Sequence, residues 1–374
     1  MKHLLKLILL LFAVSLAANA QVITELPTAG EPFAGFSESL PKPTAKASRA
    51  TDSEELQLED GQRLVREGKF DEGRKKYQDV LEKNASSVEA MYMIGASHYQ
   101  QKNYSSALEW LKLAAGYDSP LLGEIYRYCG ITLDDGKSPN EALKLYQRSL
   151  SIRKSHFVYF DRALTLYRLN RFDEARKDLK SSIDINSGYV NTHALLATLF
   201  FNQKYRVPAM LAAARLLSLT QGNRQSENAA VIINRVFAGN VKEGSKPNSI
   251  SIGLSFDSPK DEGDFGAVEL AIGLTAASSK VDEKDGVKKT PEQAFVDRFS
   301  KVVAILGEME MEETFVKRHY IDFLTEAKRL GHLESLCYQI LKESKNEEAA
   351  KWISSNGEKF IAFANWAKEF KAAK

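Results

Sequence analysis

From Glu54 onward, small residues recur among larger apolar ones at fixed intervals. Gly61, Gly95, Gly130, Ala163 and Ala197 form one series, and Gly73, Ala107, Ala142, Ala175 and Ala209 form a second, each twelve residues after its counterpart. Both series step by 34, 35, 33 and 34. This spacing predicts pairs of antiparallel helices, because a small residue midway along each helix lets two backbones approach while bulkier apolar side chains fill the groove around them. Turns are predicted where Phe70-Asp71-Glu72, Tyr104-Ser105-Ser106 and Phe172-Asp173-Glu174 precede the second series. Asp71, Ser105 and Asp173 are expected as helix N-caps, with Asn140 in that role after Pro139. In the fifth copy Val207 falls at the cap and Pro208 at the first helical position.

Five copies over residues 54–221 resemble the tetratricopeptide repeat family. The second copy resembles it most, with Ala90-Met91-Tyr92-Met93-Ile94-Gly95, then Tyr99-Gln100-Gln101-Lys102-Asn103-Tyr104, then Ala107-Leu108 and Leu111 through Ala114. The resemblance implies a right-handed superhelix whose first helices line a concave groove that binds a peptide or protein. The family's groove positions fall on Tyr92, Tyr99, Arg127, Asp134, Phe157, Phe160, Tyr167, Arg168, Asn191, Phe201 and Asn202. Aromatics and arginine concentrate binding energy at interfaces. Some members clamp a terminal carboxylate with Lys and Asn; here Tyr92/Ala96, Arg127/Ile131 and Phe160/Leu164 stand at those positions, so that mode is not expected. A partner, the chain's own C-terminal part or its N-terminal linker are the candidate occupants of the groove.

Beyond the repeats the period changes. Residues 222–241 carry helical apolar spacing and are expected to cap the stack. Residues 242–374 read as a mainly helical domain with one or two short strands, and no family is recognised in residues 248–374. Ile250, Ile252, Leu254 and Phe256 alternate with Ser249, Ser251, Gly253 and Ser255, the period of a strand. Residues 265–276 suit either a second strand or a helix started by Asp264, and their alanines favour the helix. In that case the strand is an unpaired edge open to strand addition. A charged loop, Lys280 to Lys289, precedes a capping box at Thr290-Pro291-Glu292-Gln293. Helices then bury Phe295, Phe299, Val302 and Leu306; Phe315, Phe323, Leu324 and Ala327; and Leu333, Leu336, Cys337 and Ile340. Trp352, Phe360, Phe363, Trp366 and Phe370 are expected in the core.

The ends change the charge account. Lys2 and Lys6 flank or enter the apolar run Leu4 to Leu16, followed by Ala18-Asn19-Ala20, the pattern of a secretory signal peptide cut after residue 20. Without it, the excess of 51 basic over 49 acidic residues disappears. A balanced chain is not expected to bind nucleic acid, and the remaining sequence holds no expected membrane span. Residues 21–53, with four of the ten prolines, read as a disordered linker in which Phe33 and Phe36 could anchor to a partner or to the domain.

Candidate chemistry is sparse. Among His98, His156, His193, His319 and His332 none is paired at helical spacing, and no HExxH, CxxC or phosphate-cradling loop is present. No catalytic residue, metal or cofactor is therefore expected, and Cys129 and Cys337 are expected as buried free thiols. Two sequons, at Asn84 and Asn103, would accept glycans in a eukaryotic pathway. The reading is an exported interaction scaffold of five repeats, periplasmic or alternatively secreted. Its rival is an envelope enzyme with a C-terminal active site and repeats that recruit substrate.

Overall fold

The computed structural model describes residues 30–238, 240–243, 250–253, 259–284 and 289–372. The expected signal peptide and residues 254–256 of the expected strand lie outside them. The described residues divide into two compact units, one ending at Asp178 and one beginning at Leu179.

In the first unit, helices α1 (Asp52–Arg66) and α2 (Phe70–Lys83), α3 (Val88–Gln100) and α4 (Tyr104–Ala114), and α5 (Leu122–Asp135) and α6 (Pro139–Ile152) form three antiparallel pairs. Helix α7 (His156–Arg168) opens a fourth, and the chain divides within its successor α8 (Phe172–Ile185). The two small-residue series meet as the spacing predicts. A Cβ placed on Gly73 would lie 2.8 Å from the Gly61 carbonyl, and one on Gly95 would lie 3.1 Å from that of Ala107. In the first and third pairs the glycine also makes room for an aromatic, since a Cβ on Gly61 or Gly130 would meet the ring of Tyr77 or Tyr146 at 2.5 or 2.6 Å. Both tyrosines are buried.

The helix starts differ from expectation. Phe70, Tyr104 and Phe172 are themselves the first helical residues, so Asp71, Ser105 and Asp173 lie one position inside, and Asp71 pairs instead with Arg74. Asn140 likewise follows Pro139 within α6. The turns are made by a left-handed residue before each second helix: Gly68, Lys102, Lys137, Asn170 and Lys204 all have φ between 58° and 81°. In each turn the N–H of the residue after the left-handed one reaches back five residues, as from Asn103 to His98 and from Ser138 to Leu133, which satisfies carbonyls that the helix end leaves open.

Residues 30–50 are not a disordered linker. They form a strap against α6, α4 and the loops before α3 and α5, with Phe33, Phe36 and Leu40 packed on the repeat core. Strand β1 (Ala45–Lys46) pairs in parallel with β2 (Tyr117–Asp118). The strap ends at Thr51, whose side chain completes a capping box with Glu54 on α1.

The second unit holds the fifth pair, α9 (Val190–Asn202) and α10 (Arg206–Leu219), then α11 (Arg224–Phe237). Strands β3 (Asn240–Glu243) and β4 (Ile250–Gly253) form an antiparallel hairpin. The strand expected at 250–256 is thus paired, by a partner on its N-terminal side that shows little period of its own. Residues expected as strand or helix lie in α12 (Gly266–Lys284), which also takes up the first part of the expected charged loop. Helices α13 (Pro291–Glu308), α14 (Asp322–Arg329), α15 (Leu333–Glu343), α16 (Glu347–Ser355) and α17 (Gly357–Glu369) complete the unit, with a π-helical turn at Lys317–Ile321 before α14. The capping box on Thr290 and Gln293 forms as expected.

Helix α10 explains why the fifth pair belongs with the C-terminal helices and not with a separate repeat domain. Every residue from Val207 to Ser218 is buried, and a helix that is apolar all round must be covered on all sides. Helices α9, α11, α15, α17 and the π-turn supply the cover. Arg215, the one charged residue among them, donates to the Ala367 carbonyl at 2.7 Å in the last turn of α17, with its guanidinium 4.5 Å from the Phe323 ring. A cation there complements the helix C-terminus, and burial lowers its pKa to about 10. Of the C-terminal aromatics expected in the core only Phe363 is buried; Trp352, Phe360, Trp366 and Phe370 are half-buried and pack by their faces, Trp352 stacked on Tyr338 at 4.0 Å and Trp366 on Phe323 at 5.0 Å.

Candidate functional site

The first helices of the repeats present the groove positions, and the structure sorts these into two sets. Tyr92, Arg127 and Phe160 are buried, and each fills space between helices instead of lining an open surface. The expectation that they contact a partner is corrected for this reason. The rest remain partly accessible: Tyr99, Asp134, Phe157, Tyr167, Asn191 and Phe201 are half-buried, and Arg168 and Asn202 are exposed.

In the first unit, successive repeats knit these side chains together. Arg127 on α5 donates from Nε to Asp161 on α7 at 2.5 Å and from Nη1 to Glu124 at 2.6 Å, with Phe157 5.3 Å from its guanidinium carbon. Burial opposes charge on Arg127, but Asp161 and Glu124 outweigh it and keep the side chain protonated. Burial pushes the Asp161 carboxyl up to about 6 even though Arg127 pulls it down.

One turn further along the same helices, Asp134 accepts from Thr165 at 2.8 Å and from the Arg168 Nη1 at 2.6 Å. Burial raises the Asp134 pKa against the pull of Arg168. Tyr99 donates its hydroxyl to Asp135 at 2.6 Å, and its ring meets that of Tyr128 edge-on at 5.5 Å. Tyr92 meets the other side of this cluster, 5.2 Å from Tyr128. Sequence reasoning missed Glu124, Tyr128, Asp135, Asp161 and Thr165. The signal was available, since Asp161 follows Arg127, and Arg168 follows Asp134, by one repeat length of 34.

In the second unit, Asn191 donates to the Tyr189 hydroxyl and accepts from Gln225, again one repeat on, at 2.8 Å. Phe201 lies 5.9 Å from the Arg235 guanidinium carbon. His193 is a core residue. Its Nε2 donates to the Ser187 carbonyl at 2.9 Å, so its Nδ1 accepts from the Tyr320 hydroxyl at 3.1 Å. Burial, then the neighbouring Arg215, lowers its pKa to about 3. The adjacent His319 is also lowered by burial, although Asp184 at 2.8 Å opposes this. An unfolded histidine titrates near 6.5, so the unfolded chain binds this proton first. The contribution of His193 to stability is full above about pH 6.5 and is lost as pH falls towards 3. Lowering the pH from 7 to 5 is expected to cost the second unit about 2 kcal/mol through this residue. Urea denaturation at the two pH values checks this, and the same pH step should cost a His193→Gln variant less.

Cys129 and Cys337 are buried free thiols, as expected, and burial raises both pKa values. Among the described residues, no three His, Cys, Asp or Glu side chains converge to hold a metal ion. No described helix is long and apolar enough to cross a membrane. A small cavity of about 160 Å³ is lined by Leu306, Met309, Met311, Lys317, Asp322 and Thr325. Its lysine is engaged with Glu313 and Asp322.

Residues 58–120 and residues 158–189 match tetratricopeptide repeat family models. These stretches of the chain are tetratricopeptide repeats. No curated protein sequence matches the chain. Among solved structures, it is similar to PilF of Pseudomonas aeruginosa, with 17% identity over 50% of this chain and 85% of that one at a TM-score of 0.45. It is also similar to a thermophilic repeat protein of Thermus thermophilus, with 17% identity, 48% and 99% coverage and a TM-score of 0.41. For PilW, a type IV pilus biogenesis factor, the values are 13%, 70%, 97% and 0.40.

Proposed function

We propose that this protein is an exported, non-enzymatic scaffold that holds a protein or peptide partner on the first-helix face of its repeats, in a complex of the cell envelope, with the periplasm as its compartment. The export step rests on the N-terminal sequence pattern. The binding reading rests on the two-tier construction of the first-helix face. A buried tier of Tyr92, Arg127 and Phe160 fixes the helices, and an accessible tier is held in place by hydrogen bonds between repeats at Tyr99, Asp135 and Arg168 and by a ring contact within the fourth repeat at Tyr167. Side chains fixed before binding lose less entropy on complex formation, and tyrosine and arginine are the types that dominate interface energies.

Tyr92 and Phe160 are poor probes, because truncating them removes core. Arg168 is the better one, since its side chain is half exposed and fills no core space, and its buried partner Asp134 keeps the hydrogen bond from Thr165 when it is removed. Purification of the mature protein from a gently crosslinked envelope fraction should recover a specific partner. Arg168→Ala should reduce that recovery at least tenfold with helix content unchanged. Equal recovery by Arg168→Ala and the unaltered protein would count against this face as the binding site.

A further inference from the structure

The strap of residues 30–50 is seated as a ligand would be. Glu31 sits at the N-terminus of α6, where its carboxylate accepts from the Asn140 backbone at 2.8 Å, the Asn140 side chain at 2.7 Å and the Glu141 backbone at 3.3 Å. Ser138, the residue before α6, makes no cap bond to its own helix and accepts instead from the Phe33 backbone at 3.0 Å. The N–H groups that begin α6 are thus satisfied by a side chain more than 100 residues away.

Phe33 itself enters a slot that exists because residue 136 is glycine. A Cβ there would stand 2.9 Å from the Phe33 ring. Beyond it, the buried Glu141 carboxylate accepts from the Ser37 backbone at 2.8 Å. Lys144 bridges Glu141 to Glu38, each at 2.8 Å, and Lys112 donates to Ser39 at 3.0 Å. The segment then runs extended, with Pro41 against Gly116 and Ala45–Lys46 paired with Tyr117–Asp118.

The seat on the repeats is built, but its occupant is lightly held. Only Ser37 of residues 30–50 is fully buried; besides the Glu31 and Phe33 hydrogen bonds and the two-residue strand pair, the contacts are half-buried side chains and exposed ion pairs, and the ion pairs contribute little each. A segment with few buried apolar contacts opens at low free energy.

We propose that the second-helix face of repeats two and three is a binding site for an extended segment of a partner protein with the chemistry of the strap: a carboxylate, an aromatic two residues later and a second carboxylate seven residues after the first. Residues 31–46 hold this site closed. A partner segment that takes it over releases residues 30–50 as a tether of about 25 Å. The site is separate from the first-helix face, so the two readings stand or fall independently.

The test uses the mature full chain and a fluorescent peptide of residues 30–47. In the unaltered protein the strap competes at a high effective concentration, so little peptide should bind. In a Glu31→Gln/Phe33→Ala/Phe36→Ala variant, the peptide should bind at least tenfold tighter than to the unaltered chain, and adding Lys144→Glu should abolish that gain. Equal weak binding to both proteins would overturn the proposal. So would loss of helix content in the triple variant, which would make the strap part of the repeat core, or a dimer that excludes peptide, which would make a second copy the occupant.

Discussion

Replacing Arg127 with methionine is expected to destabilise the first unit by about 3–5 kcal/mol, the usual cost of removing one partner from a buried charge pair. The guanidinium is buried and engages two carboxylates, Asp161 and Glu124. Methionine fills part of the volume but leaves both carboxylates without their cation. The deficit should depend on pH in a definite direction. Asp161 in the intact protein already has its pKa raised to about 6, above the ordinary carboxylate value near 3.9. The folded state therefore binds this proton more tightly than the unfolded state, and stability rises as pH falls through the interval from about 6 to 4. Without Arg127 the tendency strengthens, so the deficit should shrink between pH 7 and pH 5. Hydrogen exchange of α5 and α7 at the two pH values measures it within this unit; a deficit independent of pH would show that lost packing, not the stranded carboxylates, sets the cost.

Gly73→Val should cost about 3 kcal/mol, at the upper end of what overpacking a core costs. In an open helix the exchange of glycine for alanine gains about 1 kcal/mol. Here an added Cβ meets Val65 Cγ2 at 2.6 Å and the Gly61 carbonyl at 2.8 Å. The Val65 side chain could rotate away, but the carbonyl belongs to the helix backbone, so α1 and α2 must separate. Gly73→Ala should also lose stability, by less. Thermal unfolding of both variants checks the order, and a neutral Gly73→Val would mean that the pair does not depend on this close approach.

These two sites differ in how far the sequence discloses them. Gly73 was legible, because close approach of two helices excludes all but the smallest side chains and so leaves a period in the residue types. The turn geometry was not. Lys102, Lys137 and Lys204 adopt the left-handed conformation, which lysine does not advertise, and the second helices accordingly start two residues before the positions that the expected caps imply. Arg127 was legible as a position on the first helices and illegible as a buried one, because its exposure depends on Asp161 and Phe157 from the next repeat. The strap escaped notice for a related reason. Its prolines and small polar residues have no period, and the groups that order it, Gly136, Ser138, Glu141 and Lys144, lie more than 100 residues away. The fate of α10 could have been read from its composition, since Val207 to Ser218 leaves no polar stripe for solvent.

The central claim, that a partner sits on the accessible tier of the first-helix face, is tested most directly by a photo-reactive amino acid placed at Arg168 and, separately, at Lys75 on the exposed side of α2. After irradiation of intact cells, the account predicts a discrete crosslinked species from position 168 and none from position 75. No species at 168, or the same species from both positions, would contradict it.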